Sequence, residues 1–507
     1  MAVAEQTTAL ALQEKSKLIK SLRRFDMWFF TVCAFVGLDT LGTVASNGAE
    51  GFLWLVVLAL VFVAPYMLLT AEVGAAFTQE GGPYEWVKLA FGRLHGAICA
   101  ILYWITNPLW VGGSLAFIAH DSWSANISGI GTATFGDYFF KLVFIWISIG
   151  VAIISLRYGK WIPNAGAVLR GIVLGFFSLT VIIYGFKHGA AGFQWGHLSP
   201  TRAVFFGLVP VLLFNYVGFE LQNAAAEEME NPQRDVPLSV LRSGITGVLM
   251  YAIPIFCILI VLPANKVTSI GGFIDAVTLT FNGVYGGAAH ALLVIMTLCF
   301  IGALVTSGAV WMIGSDRIQA VAAYDGSFFP FFGIFNRRLG TPVRVNVMSG
   351  IASSIFCIAA IILLKHQNTA NAFTVVLDIA ISTTLLSYLW VFPAVLKLRY
   401  SHPGVRRPYV HPWGMAGIWV STILTTFWIA LGSFEAIFPD VLEKVFGVGY
   451  GFKGSWGVGR GEFEALTLGT LAVILVFCLL GYAAGARVRS DVAIAEIAEA
   501  ETVTAPA

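Results

Sequence analysis

Three carboxylates stand in stretches of sequence that are otherwise free of charge: Asp39, Glu220 and Asp378. Glu220 closes an apolar run from Ala203 to Phe219 that contains no turn signal. An acid that deep in a lipid-spanning segment costs at least about 2.5 kcal/mol, so such groups face a cavity or a partner. There they can bind a cation or carry a proton. Pro210 and Gly218 weaken the helix around Glu220, and Gly37 and Gly42 do so around Asp39. An interrupted helix exposes N–H groups on one half and C=O groups on the other. The donors can bind a carboxylate and the acceptors an ammonium. Irregular backbone is tolerated at membrane depth only where it lines protein or water.

Each of these residues also has a plain structural reading. Glu220 could be satisfied by a neighbouring hydroxyl or backbone group. Asp39 could cap a half-helix. Asp378, about two turns into its segment, could simply face an outer vestibule. Arg170 is expected to snorkel to the inner surface. Thr306 and Ser307 either ligate sodium or bond back to their own helix. Phe214, Tyr216 and Phe219 gate a site or pack. Trp104, Asn107, Pro108 and Trp110 line a cavity, or pack and kink their helix.

The elements that must position these residues follow from composition. The chain has 507 residues, 58% hydrophobic and 11% charged, against about 25% charged in a soluble domain. It is therefore expected to be an all-α integral membrane protein. About 20 apolar residues make one span. Twelve segments qualify, near 26–48, 51–77, 94–120, 138–157, 162–186, 203–225, 239–263, 286–314, 345–364, 371–397, 413–438 and 463–485. The stretch Val267–Ala289 reads as a loop with a short helix, and the glycine-rich Gly447–Gly461 as a mobile outer loop. With the N-terminus inside, 21 lysines and arginines fall on the inner side and 8 on the outer. That bias predicts cytoplasmic tails at 1–25 and 486–507 flanking a transporter domain at 26–485. Spans one and six, with their acids, lie five apart, as a five-plus-five inverted repeat requires.

Other functions find no support in the residues. The net charge of +2 gives no nucleic-acid footprint. Six cysteines are scattered singly, with no CxxC pair, and the eight histidines form no metal motif, so neither a cofactor nor a metal is expected. No phosphate-binding loop and no catalytic cluster point to an enzyme.

Three stretches carry a resemblance. AEVGAAFTQEGGPYEWVKLAFG (Ala71–Gly92), FNYVGFELQNAAAEEMENPQRDVP (Phe214–Pro237) and SDRIQAVAAYDGSFFPFFGIFNRRLGTPVRVN (Ser315–Asn346) resemble, in order and separation, motifs of the amino acid–polyamine–organocation transporters. The resemblance implies a leucine-transporter-type fold of twelve helices. Spans 1–5 and 6–10 form the inverted repeat, with helices 1 and 6 broken and 11 and 12 peripheral. It implies transport of an amino acid or related amine by alternating access, proton-coupled or as an exchanger. The span-one backbone near Val36–Thr40 would receive an α-carboxylate, Phe214 would be an aromatic gate, and Glu220 would carry the coupled proton. The expected substrate site is Val36, Gly37, Asp39, Thr40, Asn107, Phe214, Asn215, Tyr216, Gly218, Phe219 and Glu220. The sequence departs from the family's usual Gly-x-Gly at the first break, reading VGLDTLGTVASNG, in the style of the glutamate/GABA antiporter branch. A negative Asp39 there favours an amine-bearing substrate such as a polyamine, or points away. The lysine that some sodium-independent members carry in span five aligns loosely with Gly175. The partners implied are a small amino acid or amine, protons and the lipid bilayer of the plasma membrane (the inner membrane in a bacterium). The oligomeric state stays open. A polyamine or GABA antiporter is one alternative. A non-transporting sensor is another, although tails of about 25 and 20 residues are short for a signalling domain.

Overall fold

Proline, glycine and charge divide a nearly continuous apolar sequence into helices. The computed structural model describes residues 14–15, 22–158, 161–189, 193, 195–198, 200–262, 267, 272–363, 369–448 and 451–490. Most of both expected tails therefore lies outside the described residues. No strand occurs among the described residues, apart from a single bridge between Leu22 and Met229.

The first segment is broken. Helix α1 (Arg24–Phe35) stops at Val36, and α2 (Leu41–Ala45) resumes after the Gly37–Thr40 turn. The second runs through α3 (Gly48–Leu58), a widened π turn at Ala59–Val63 and α4 (Ala64–Ala76). A short α5 (Pro83–Phe91) precedes the third: α6 (Arg93–Trp110), another π turn and α7 (Ala116–Asn126). Then come α8 (Phe135–Tyr158) and α9 (Trp161–His188). The sixth is broken again: α10 (Arg202–Asn215) ends before Gly218, and a tighter 3-10 stretch follows at Leu221–Glu228. The remaining helices are α11 (Pro232–Val261), the short α12 (Gly272–Tyr285), α13 (Ala289–Tyr324), α14 (Val343–Leu363), α15 (Thr369–Ser401), α16 (Gly414–Ile437), α17 (Val441–Val445), α18 (Phe452–Trp456) and α19 (Arg460–Ala484).

Ten helical stretches are long and apolar enough to cross a membrane among the described residues, and the two interrupted segments complete the twelve expected. Burial sorts them. In the apolar window of α6–α7, 94% is buried, and in α15 83%, against 33% in α16 and 28% in α19. The third and tenth spans thus sit at the centre, with the eleventh and twelfth at the periphery.

Where α4, α13 and the 3-10 stretch end together, the molecule is closed by charge. Arg317 of α13 is fully buried, pairs with Glu80 and with Glu228 at 2.9 Å, and also donates to the Gly340 carbonyl at 2.9 Å. Beside it the Tyr84 hydroxyl donates to Asp325 at 2.6 Å, and Lys88 pairs with Asp325 at 3.2 Å and with Glu85 at 2.8 Å. The Leu22–Met229 bridge ties the start of α1 to the same end.

Candidate functional site

Each helix break is held by a tyrosine hydroxyl from another span. At the first, Tyr251 of α11 accepts the Gly37 N–H at 2.8 Å and donates to the Phe35 carbonyl at 3.0 Å. At the second, Tyr66 of α4 accepts the Gly218 and Phe219 N–H groups at 3.1 and 3.3 Å and donates to Glu220. Tyr66 lies in span two and Tyr251 in span seven, corresponding places in a five-plus-five repeat, so the two halves clamp each other's broken helix. Gly218 has φ +119°, and a Cβ there would come within 2.8 Å of Trp311, so this turn requires glycine.

Between the breaks lies a cavity of about 20 Å³. Gly37 and Asp39 contribute from the first break, Asn107 and Trp110 from α6, Phe214 and Asn215 from α10, Tyr251 from α11 and Trp311 from α13. One Asp39 oxygen accepts from Trp110 Nε1 and from Ser114 Oγ, both at 2.7 Å. The other, Oδ1, is buried without a hydrogen-bond partner, as is Asn215 Nδ2. The Trp110 ring lies 6.1 Å from Phe214 and 6.3 Å from Trp311 between centroids, so the carboxylate sits among aromatic faces.

Glu220 does not line this cavity. It is wholly buried and accepts from three tyrosine hydroxyls: Tyr66, Tyr388 of α15, and Tyr103 of α6 at 2.6 Å. Hydrogen bonds to a charged group are worth about 1.5–3 kcal/mol each, so the three together offset part of the cost of burying the carboxylate.

Arg170 overturns its expected role. It does not reach the inner surface; it is wholly buried in α9. Its guanidinium donates to the Val36 carbonyl at 2.8 Å, Gly166 carbonyl at 2.8 Å, Ala303 carbonyl at 3.2 Å, Thr306 Oγ1 at 3.3 Å and Ser307 Oγ. The physical reason is the break itself: a terminated α1 leaves carbonyls that need donors, and a five-donor fork supplies them. The Thr306–Ser307 pair therefore faces a guanidinium. Gly166 makes room, since a Cβ there would meet Cys33 Sγ at 2.5 Å and Thr306 at 2.7 Å. Arg170 is the buried cation of α9, while Gly175 has nothing within 4 Å of the place its Cβ would take.

A second cavity, of about 560 Å³, lies at the end of the molecule opposite the charged seal. It reaches down α10 to Val211, three residues from Phe214, and down α15 to Ile381, three residues from Thr384 of the central cavity. Asp378 lines it, in line with a vestibule position. So does Trp456. The glycine-rich stretch expected to be a mobile loop holds α18 there instead, because Trp456 and Phe452 pack on Phe463 with centroids 4.6 and 5.6 Å away.

Of the expected site residues, Gly37, Asp39, Asn107, Phe214 and Asn215 meet at the central cavity. Val36, Thr40, Tyr216, Gly218 and Phe219 are buried close behind it, Tyr216 donating to the Leu55 carbonyl at 2.9 Å and Phe219 stacking on Phe35 at 4.4 Å. Of the span-three candidates, Trp110 is in the wall, but Trp104 turns away to Asp316 at 3.0 Å and Ser349 at 2.8 Å. Sequence reasoning missed Tyr66, Tyr103, Tyr251, Trp311 and Tyr388. Their signal, a polar tip inside an apolar segment, is too common among 15 Tyr and 15 Trp to single them out.

Comparison with known proteins agrees with this architecture. A manganese transporter of Eremococcus coleocola, in a mutant form, shares the fold with a TM-score of 0.56 at 11% identity, covering 92% of this chain and 94% of that one. A probable agmatine/putrescine antiporter of Lactococcus lactis is 29% identical over 387 residues, 76% of this chain and 81% of that protein. A glutamate/gamma-aminobutyrate antiporter of the same bacterium is 22% identical over 416 residues, 78% and 79% of the two. The amino acid permease family matches residues 22–451. With broken first and sixth helices, a leucine-transporter-type fold and that match, the chain belongs to the amino acid permease family, within the amino acid–polyamine–organocation superfamily of membrane transporters.

Proposed function

We propose that the chain exchanges small organic amines across the cell membrane. The observation that carries this is Asp39: an acid with one oxygen free of partners, on the wall of a cavity lined by aromatic rings. Such a site suits an alkylammonium or guanidinium, which gains charge pairing and cation–π attraction together. A substrate carboxylate would meet the like charge of Asp39 instead, and the Gly37 N–H that could receive it is already given to Tyr251. Likeness to a probable agmatine/putrescine antiporter supports the same class, since both named substrates are amines. The cavity is closed around its centre, so binding requires its walls to part.

Glu220 is the coupled proton's site in this reading. As a carboxylate it accepts all three tyrosine hydroxyls; once protonated it carries a donor of its own, and the cage must rearrange around the span-six break. The lysine and arginine bias orients both tails to the cytoplasm, with the charged seal inside and the 560 Å³ vestibule outside.

Proteoliposomes loaded with putrescine and supplied with labelled agmatine or putrescine test the reading. Asp39→Asn is expected to lower kcat/KM by about a hundredfold or more, the scale for truncating a buried charge partner. Exchange of glutamate or GABA that is indifferent to Asp39→Asn, with no amine flux, would replace the amine reading by an amino acid one. In the same vesicles Glu220→Gln is expected to flatten the pH dependence of exchange. A pH profile matching the parent protein would remove Glu220 from proton coupling.

A further inference from the structure

The vestibule holds more acid than a passage needs. Asp378 on α15, Glu435 near the end of α16 and Glu443 on α17 all line it, and among the described residues no lysine, arginine or histidine does. All three residues are at least nine-tenths buried, with exposures of 5%, 3% and 1%. Asp378 Oδ2 has no hydrogen-bond partner, and the carboxyls of Glu435 and Glu443 meet each other without a fixed donor from another side chain. The acids also act on one another: Glu435 on Asp378, and Glu443 with Asp440 on Glu435. Of this group Asp440 alone is neutralised, by Lys444 at 2.6 Å and Arg460 at 3.4 Å. Burying like charges together without a counter-charge is costly unless a cation completes the site. Among the described residues no three His, Cys, Asp or Glu side chains converge as a metal site requires, so the acids are spread along a wall and do not close on a point. A cavity of about 560 Å³ is the size of small-molecule pockets. Phe206, Phe373 and Trp456 add aromatic faces to the same wall.

We propose that this vestibule is a second substrate site, a waiting position that draws the ammonium group of an organic amine to the acidic wall of Glu435, Glu443 and Asp378 before it passes to Asp39. The route is short: the vestibule and the central cavity are one helical turn apart on both α10 and α15. A diamine held there would present its second cationic end toward the central aromatic wall. This deepens the amine reading and rests on it for the identity of the substrate, but the site stands on its own residues.

The test uses the full chain in nanodiscs, with putrescine as probe and indole fluorescence as the binding signal, beside exchange in proteoliposomes. Asp39→Asn is expected to stop exchange yet keep a weaker putrescine-dependent fluorescence change. Adding Glu435→Gln and Glu443→Gln should weaken that residual binding by about tenfold or more, and the change should be absent when Trp456→Phe is added. On the parent background, E435Q/E443Q should raise KM by about tenfold and alter kcat far less, as expected where acids concentrate a cationic substrate. Asp378→Asn should act in the same direction more weakly. Residual binding and KM both indifferent to E435Q/E443Q would overturn the vestibule site while leaving Asp39 in place. If Asp39→Asn instead leaves amine exchange intact, the central reading fails, and the KM of E435Q/E443Q decides the vestibule alone. If putrescine neither binds nor exchanges in the parent protein, both fall.

Discussion

The two ends of this transporter are both rich in acid and treat it oppositely. At one, Glu80, Glu228 and Asp325 are matched to Arg317 and Lys88 across α5, α13 and the 3-10 stretch that follows the second break. At the other, Glu435, Glu443 and Asp378 face a cavity whose described lining holds no fixed cation. A paired buried charge holds elements together, and its partner cannot leave without penalty. An unpaired one holds nothing together, and its partner must come from solution. The same residue types therefore make a lock at one end and a receptor at the other, and what separates them is the presence of a fixed cation.

The comparison can be broken from either side. Arg317→Ala should have the largest effect on stability. It strands Glu80 and Glu228 in a dry setting, a change that costs about 3–5 kcal/mol for a buried pair. Thermal unfolding in detergent should show a clear fall, with partial recovery when Glu80→Gln and Glu228→Gln are added; an unchanged transition would mean that the seal is not a lock. Tyr84→Phe should come next. It removes one hydroxyl from Asp325, which keeps Lys88, so a loss of about 1–3 kcal/mol is expected from the same measurement. Smallest should be E435Q/E443Q. Relieving two unmatched like charges should leave the unfolding temperature unchanged or slightly raised, although the same change weakens substrate capture. A large destabilisation there would show that these acids hold structure after all and would erase the contrast between the ends.

How far the sequence reveals all this depends on range. Asp39 and Glu220 are legible because a charge in an apolar run is rare, and their five-span separation points to paired breaks. The breaks fall where Gly37 and Gly218 place them. The groups that satisfy those acids are not legible. Tyr103 and Tyr388 lie 117 and 168 residues from Glu220, and nothing in their own neighbourhoods marks them. Arg170 misleads for a related reason: a basic residue toward one end of a span usually reaches for the surface, and the orphaned carbonyl of Val36, with the acceptors of α13, draws it inward. Glu435 and Glu443 sit at the end of an apolar segment, where acids are ordinary. Their interest arises only when α15, α16 and α17 bring three of them round one space.

Arg170 also constrains how the cycle can be driven. A guanidinium stays charged across the physiological pH range, and this one is tethered to α9. It has no concentration on either side of the membrane, so no gradient acts on it. It joins α1 to α13 through the Val36 and Ala303 carbonyls, with no ion taken from solution. A dissolved ion in that position would be a second reactant with its own chemical potential; Arg170 makes the position a constant. Nothing the solution can vary therefore acts at this joint.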